Sequence, residues 1–570
     1  MSNIDAAKLP DNHFSKMGEW MGHPKGLFIL FFTEMWERFS YYGMRAILTL
    51  YMIASIADGG LGWTSAEALS LYGTYTMMVY VMSIPGGILA DKVLGQKKSV
   101  MLGGLLLCAG HGILAVEAEW AFFTGLMLIV LGVGGLKPNI STMVGGLYRQ
   151  GDIRRDKGFT IFYIGINIGA FLSSIAVAWV ADEWGWHYGF GLAGIGMLIG
   201  QAVYVWGQKY LVGVGDLLAQ AEDPEAKALA QKPLTKIEKD RVVVLLISFL
   251  IIIVFWGAFE QAGGLLNIYA QEKIDRNFFG MFEIPAGVFQ SVNAFFIITL
   301  GTTVAAVWAN RSLKGKESST IFKMAIGTII MGLGFLMMAK AALEVDSVGK
   351  GAMIWLILAY LFHTVGELCA SPTALSFITK LAPAKYASIM MGVYFAATGF
   401  GNKLAGFIGE EAQSEPIKIV AMADASTLPK ALTDSLNVRT KDTPVDGREE
   451  YRVTTNVYAE DGEIIVKTPD NQNIVPGTTI EEESMTRFNE LLSEYEGTYD
   501  NQLAAKITFK QDDENKKQYN GTLVIDQVQN DLELKTFLII TGLTAAFGLL
   551  LLLFLKKLKA LTHGAEDDEH

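Results

Sequence analysis

Apolar residues gather in twelve stretches, near 27–56, 66–90, 99–117, 121–145, 158–181 and 186–209, then 242–270, 285–309, 318–343, 352–380, 386–409 and 536–556. Most are long enough to cross a bilayer as a helix, so the pattern predicts about twelve transmembrane helices. A polar, alanine-rich linker at 210–241 divides them six and six. The polar positions between them set an orientation. Lys8, Lys16, Lys25, Lys92, Lys97, Lys98, Arg149, Arg154, Arg155 and Lys157 fall at one end of the first six spans, with Lys314, Lys316, Lys385 and Lys556 continuing the series. The opposite short loops carry mainly Asp58, Glu117, Glu119, Asp182 and Glu183, which predicts cytoplasmic termini.

One region breaks the spacing. Residues 411–534 contain no span and alternate like strands at Tyr451–Tyr458 and Ile464–Lys467, joined hairpin-fashion through Glu460–Glu463. Ile507–Lys510 and Thr522–Gln527 read as further strands, and 480–495 as a helix. The expected organisation is a cytoplasmic N-terminus over 1–26, a six-helix bundle over 27–209, the cytoplasmic linker 210–241 and helices seven to eleven over 242–410. A β-rich extracytoplasmic insert over 411–534, the twelfth helix over 535–558 and a cytoplasmic tail over 559–570 complete it.

Composition sharpens this picture. Of 570 residues, 51% are hydrophobic and the mean hydropathy is +0.32, which predicts an all-α polytopic membrane protein with the lipid bilayer as its partner. The insert holds 12 Lys+Arg and 25 Asp+Glu, a net −13; the remainder holds 46−12=34 against 58−25=33, a net +1. The acidic balance therefore sits in the insert, and no nucleic-acid partner is expected. Cys108 and Cys369 lie in apolar spans and offer no disulfide framework. No HExxH, Cys pair or His cluster is present, so no metal and no cofactor are expected. The first 26 residues carry charges throughout and predict no cleaved signal peptide.

The first span is the exception in its own class, because Glu34, Glu37 and Arg38 sit mid-span. Each such charge costs about 2.5–3.5 kcal/mol at the bilayer centre, so these side chains must face protein or water. With Tyr41 and Arg45 they form a polar stripe on one helical face.

Gly86-Gly87-Ile88-Leu89-Ala90-Asp91-Lys92-Val93-Leu94-Gly95-Gln96-Lys97-Lys98 joins the second and third spans in a tight loop with Gly86, Gly87, Asp91 and Gly95 as its conformational residues. It resembles the loop signature of the major facilitator superfamily, whose two six-helix halves rock about a central site. Within that superfamily, Glu34-x-x-Glu37-Arg38-Phe39-x-x-Tyr42-Gly43 resembles the hallmark of the proton-coupled oligopeptide transporters. Phe162-Tyr163-x-x-Ile166-Asn167-x-Gly169, Gly134-Gly135-Leu136-Lys137-Pro138, Phe289-Gln290-x-x-Asn293 and Gly366-Glu367-Leu368-x-x-Ser371-Pro372 are similar to the family's other motifs. The resemblance covers nearly all the chain except 411–534. It implies a proton symporter that imports di- and tripeptides by alternating access, not an enzyme, with a bacterial inner membrane as the expected location.

The chemistry of the residues agrees. A peptide has a carboxylate at one end and an ammonium at the other, so its site needs a cation and an anion set apart. Arg38 and Lys137 are candidates for the carboxylate, and Glu367, with Asn167 and Asn293, for the amino end. Tyr41, Tyr42, Tyr80, Tyr163, Trp256 and Ser371 complete the expected substrate wall. Glu34, Glu37, Arg38, Glu367 and His363 are expected to couple protons, His363 because it precedes Glu367 by four residues and shares its helix face. Three departures stand out: Tyr72 is followed by Gly73 where some members carry His, Tyr394 stands where bacterial members often show Trp, and the linker is too short for two extra helices. A symporter for another small anion or modified peptide remains open, as does a receptor whose outer insert binds a ligand.

Overall fold

The structure is a computed structural model that describes residues 18–54, 58–149, 152–217, 234–348, 350–383, 387–413, 417–424, 450–460, 463–467, 479–480, 502–511, 518–525 and 530–565. They fall into two compact units, the first within 1–47, 70–408 and 534–570 and the second within 48–69 and 409–533.

The first unit is helical. In order, α1 is Lys25–Ile53, α2 Ser65–Val81, α3 Ser83–Leu89, α4 Gln96–Leu114, α5 Glu119–Gly146, α6 Arg154–Trp184, α7 Trp186–Gly207, α8 Lys236–Phe259 and α9 Leu265–Lys273. These are followed by α10 Ser291–Leu313, α11 Thr320–Val348, α12 Met353–Leu381, α13 Ala387–Glu411 and α14 Asn530–Leu561. Among the described residues, nine segments are long and apolar enough to cross a membrane: the runs containing α2, α5, α6, α7, α8, α10, α11, α12 and α14. Helices α1, α4 and α13 are not among them, and α1 carries the mid-span charges that lower its hydropathy.

Local chemistry places the helix ends. Thr235 and Glu238 form a capping box at the start of α8, each side chain accepting from the other's backbone N–H, at 3.3 and 2.8 Å. Gly185, at φ 107°, separates α6 from α7 in a conformation that side chains disfavour.

Two expectations are corrected. The span 242–270 is not one helix: α8 ends at Phe259, a 3₁₀ turn runs Glu260–Ala262, and α9 starts after the Gly263-Gly264 pair. The loop expected from Gly86 to Lys98 is helical almost throughout, because a π-helical turn, Ala90–Leu94, prolongs α3 and only Gly95, at φ 76°, breaks the chain before α4. Gly86 has a packing reason to be glycine. Pro138 lacks an N–H, so it frees the Gly134 carbonyl four residues earlier in α5. A Cβ on Gly86 would lie 2.0 Å from that oxygen. Gly87, by contrast, has nothing within 4 Å of a modest side chain's first atom.

In the second unit, β1 Ile417–Asp424, β2 Glu450–Glu460, β3 Glu463–Lys467, β4 Thr479–Ile480, β5 Gln502–Gln511 and β6 Gln518–Ile525 form one sheet. Its order is β4-β1-β6-β5-β2-β3 with every neighbour antiparallel. The β2–β3 hairpin pairs Tyr458 with Ile465 and Glu460 with Glu463. Strand β1 was not anticipated, since Ile417–Asp424 alternates weakly. The helix expected over 480–495 lies outside the described residues, apart from Ile480 in β4.

Candidate functional site

The polar stripe of α1 is buried. Arg38 is 4% exposed and Glu37 fully covered, and the Arg38 Nε lies 2.9 Å from Glu34 Oε1 and 2.7 Å from Glu37 Oε2. Only the Glu34 contact is aligned as a hydrogen bond; both Glu37 oxygens and the Arg38 Nη2 lack a hydrogen-bond partner. Two carboxylates thus converge on one guanidinium nitrogen, a cluster that a proton or a ligand group would relieve. Lys137 from α5 stands apart from it, its Nζ 3.6 Å from the centroid of the Tyr80 ring, with no carboxylate within 4 Å among the described residues.

Two helical turns along α1, Arg45 reaches the second half of the sequence. Its Nη1 donates to Glu260 Oε1 at 3.2 Å, its Nε donates to Gln290 Oε1 at 3.2 Å, and Tyr72 donates its hydroxyl to the same Glu260 oxygen at 2.5 Å. The 3₁₀ turn between α8 and α9 carries Glu260, and Gly263 immediately after it leaves the space the Tyr72 hydroxyl occupies. The four side chains come from α1, α2, this turn and the turn before α10, so they tie the two halves of the first unit together.

Farther into the second half, Asn293 of α10 donates one amide to both Thr364 Oγ1 and Glu367 Oε2, each at 3.0 Å. Between these groups lies a cavity of about 120 Å³. Tyr42, Arg45, Tyr80, Tyr163 and Asn167 line it from the first half, and Trp256, Glu260, Gln290, Asn293, Tyr360 and Glu367 from the second. The wall therefore offers aromatic faces, one carboxylate held by an amide and one held by a guanidinium.

The sequence pattern of the POT family matches residues 97–213 and 221–422. A peptide transporter of Yersinia enterocolitica is 35% identical over 463 residues, which is 70% of this chain and 90% of that one. The chain belongs to the POT family, the proton-coupled oligopeptide transporters. A di-/tripeptide transporter of Lactococcus lactis is 34% identical over 66% of this chain and 87% of its own length. Among solved structures, a POT peptide transporter in complex with alafosfalin aligns with a TM-score of 0.71 at 28% identity, covering 97% of this chain and 99% of that one. A POT transporter in complex with 5-aminolevulinic acid aligns at 0.64 with 32% identity, over 71% and 93%. These relatives are transporters rather than enzymes, and the chain is an integral membrane protein whose helical unit has a major-facilitator-like fold.

As a POT member it departs from the sequence expectations at named positions. Tyr42, Tyr80, Tyr163, Asn167, Trp256, Asn293 and Glu367 do line the cavity. Tyr41 does not; it is buried, with Arg38 5.9 Å from its ring centroid. Ser371, one turn beyond Glu367 on α12, is not brought to the cavity either, and Arg38 and Lys137 are not among the residues that line it. His363 is not brought to Glu367. Although four residues from Glu367, its ring packs 4.6 Å from Phe335 and neither ring nitrogen has a hydrogen-bond partner, while Glu367 bonds Asn293 instead. Sequence reasoning overlooked Glu260 and named Gln290 only as part of a motif. Glu260 lies inside an apolar span, and the cost argument applied to Glu34 and Glu37 marks it equally.

Proposed function

We propose that this POT member is a symporter that uses an inward proton gradient to import di- and tripeptides. Peptide transport is the activity named for its curated relatives, and the site supplies the chemistry for it. The observation that carries the proposal is a pair of opposite charges left without ionic partners: among the described residues, Lys137 lies against Tyr80 of the cavity wall with no carboxylate within 4 Å, and Glu367, itself on that wall, has an amide but no cation within 4 Å. A peptide carboxylate would complete Lys137 and, once released from its carboxylates, Arg38. The peptide ammonium would complete Glu367, with Asn167 and Asn293 as neighbouring polar groups. Tyr42, Tyr80, Tyr163 and Trp256 provide walls that accept varied side chains through apolar area rather than fixed hydrogen bonds.

Coupling follows from the crowding at Arg38. While Glu34 and Glu37 are ionised they hold the guanidinium; protonating one of them frees it for the substrate carboxylate, so proton and peptide load together. Glu260 is a third carboxylate of this kind. Its protonation would release Arg45 and loosen the link between the halves, which suits a step of alternating access.

On this reading α1, α4 and α13 join the nine apolar segments as spans, twelve in all. Both termini are cytoplasmic, the membrane is a bacterial inner membrane, and the sheet of 411–534 lies on the opposite side as an insert before the last span. A related reading, import of a different small zwitterion, draws on the neighbour that holds 5-aminolevulinic acid, which also carries a carboxylate and an amine at its two ends. Competition binding separates them. Purified protein should bind free dipeptides and lose affinity for N-acetylated and C-amidated forms alike. Equal affinity for the blocked forms would reject recognition of the termini, and tight 5-aminolevulinate binding with no dipeptide binding would favour the related reading.

A further inference from the structure

Between α9 and the turn before α10, the sequence Arg276-Asn277-Phe278-Phe279-Gly280-Met281-Phe282-Glu283 forms a small hairpin in which Asn277–Phe278 pairs antiparallel with Phe282–Glu283. Its base is polar and fixed: Arg276 Nη2 lies 2.8 Å from Glu283 Oε1, Arg276 Nη1 donates to the Ile284 carbonyl at 2.8 Å, and the Gly280 N–H donates to Asn277 Oδ1 at 2.6 Å. Its tip is apolar and open, with Phe279 87% exposed, Met281 68% and Phe282 47%. Neither the cavity nor the ion pairs of the site use any of these groups.

The hairpin's position says what covers it. The Phe282 ring lies 5.7 Å from Trp179 of α6. Trp179 follows Leu172 by seven residues, two helical turns, so the two share a face about 10 Å apart along the axis. Leu172 is an exposed apolar residue within a membrane-crossing segment, and its neighbour Phe171 contacts Phe295 of α10, itself exposed, as is Ile298 one turn on. The face that carries Trp179 is therefore the lipid-facing one. Five residues beyond it the helix ends at Trp184, exposed, with exposed Tyr188 at the start of α7. Trp and Tyr gather at the membrane–water boundary, so this end of α6 marks the interface and Trp179 lies just inside it. The hairpin folds down along α6 to that depth rather than standing clear of it.

We propose that residues 277–283 form an interfacial anchor whose partner is the lipid bilayer: Phe279, Met281 and Phe282 sit at the boundary between headgroups and acyl chains, while Arg276, Asn277 and Glu283 stay with the headgroups. The hairpin belongs to the second half of the first unit and rests on a helix of the first half, so the anchored loop spans the α6–α10 seam.

Full-length protein with Cys108→Ser and Cys369→Ser, carrying one fluorescent label at Phe279→Cys or Met281→Cys, tests this in lipid nanodiscs. Labels at Leu543→Cys, on an exposed apolar face of α14, and at Asp275→Cys, exposed beside the hairpin's base, serve as lipid and water references. Lipids brominated near the top of the acyl chain should quench Phe279→Cys and Met281→Cys as they quench Leu543→Cys, while aqueous iodide quenches only Asp275→Cys. Quenching of both tip labels by iodide and not by brominated lipid would overturn the proposal in favour of a loop in water. Protection from both quenchers would overturn it in favour of a tip covered by protein. Two tip positions keep the result readable if one variant fails to fold.

Discussion

Arg45 and Glu260, 215 positions apart in sequence, meet as a buried ion pair 3.2 Å long, with the Tyr72 hydroxyl on the same carboxylate oxygen. Burying such a pair is costly, and removing one partner leaves the other uncompensated, a loss of about 3–5 kcal/mol. Arg45→Ala should therefore lower the melting temperature of the purified protein more than Glu260→Gln does, because glutamine is neutral and still accepts from Tyr72. The double variant Arg45→Ala/Glu260→Gln should recover part of the Arg45→Ala loss. Equal and additive losses in thermal unfolding would mean the two side chains are not coupled.

The close approach of α3 and α5 gives a second contrast on adjacent glycines. Gly86→Ala places a Cβ against the carbonyl that Pro138 frees, 2.0 Å away, whereas Gly87→Ala meets open space. Gly86→Ala should reduce the yield of folded protein and its uptake rate, and Gly87→Ala should leave both near the unaltered level. A tolerant Gly86 combined with an intolerant Gly87 would contradict the packing described.

Substrate recognition is tested at three charges. Lys137→Ala, Arg38→Ala and Glu367→Ala should each weaken dipeptide binding by about 10- to 100-fold, the effect of losing a charged hydrogen bond worth about 1.5–3 kcal/mol. Calorimetric titration reads this directly. Unchanged affinity in any one of them removes that residue from the site.

How much of this was legible beforehand depends on the kind of residue. The stripe on α1 was readable because charge inside an apolar span has few physical explanations. The contacts that matter most were not, because Arg45 meets Glu260 and Asn293 meets Glu367 across 215 and 74 positions. Periodicity reports which residues share a face, not which helix lies opposite. The same limit misled the reading of His363: spacing placed it near Glu367, while packing turned its ring to Phe335. Glu260 was hidden for another reason. Its span was long enough to read as one helix, and the break at Gly263-Gly264 that presents the carboxylate to the cavity was read through.

Coupling is expected to reside on α1. Glu37→Gln mimics the protonated carboxylate but cannot titrate, so it should still exchange labelled for unlabelled peptide across a vesicle membrane while failing to concentrate peptide under a proton gradient. The double variant Glu34→Gln/Glu37→Gln should behave the same way. If it concentrates peptide as well as the unaltered protein, the coupling proton is carried elsewhere, with Glu260 and Glu367, the two carboxylates that line the cavity, as the next candidates.

A proton gradient should drive peptide through this cavity. Purified protein in liposomes with an alkaline interior, given a labelled dipeptide outside, should accumulate it above the external concentration, and a protonophore should collapse that accumulation to equilibrium. Uptake that stops at equal concentrations whatever the gradient, or no dipeptide flux from correctly inserted protein, would contradict the account.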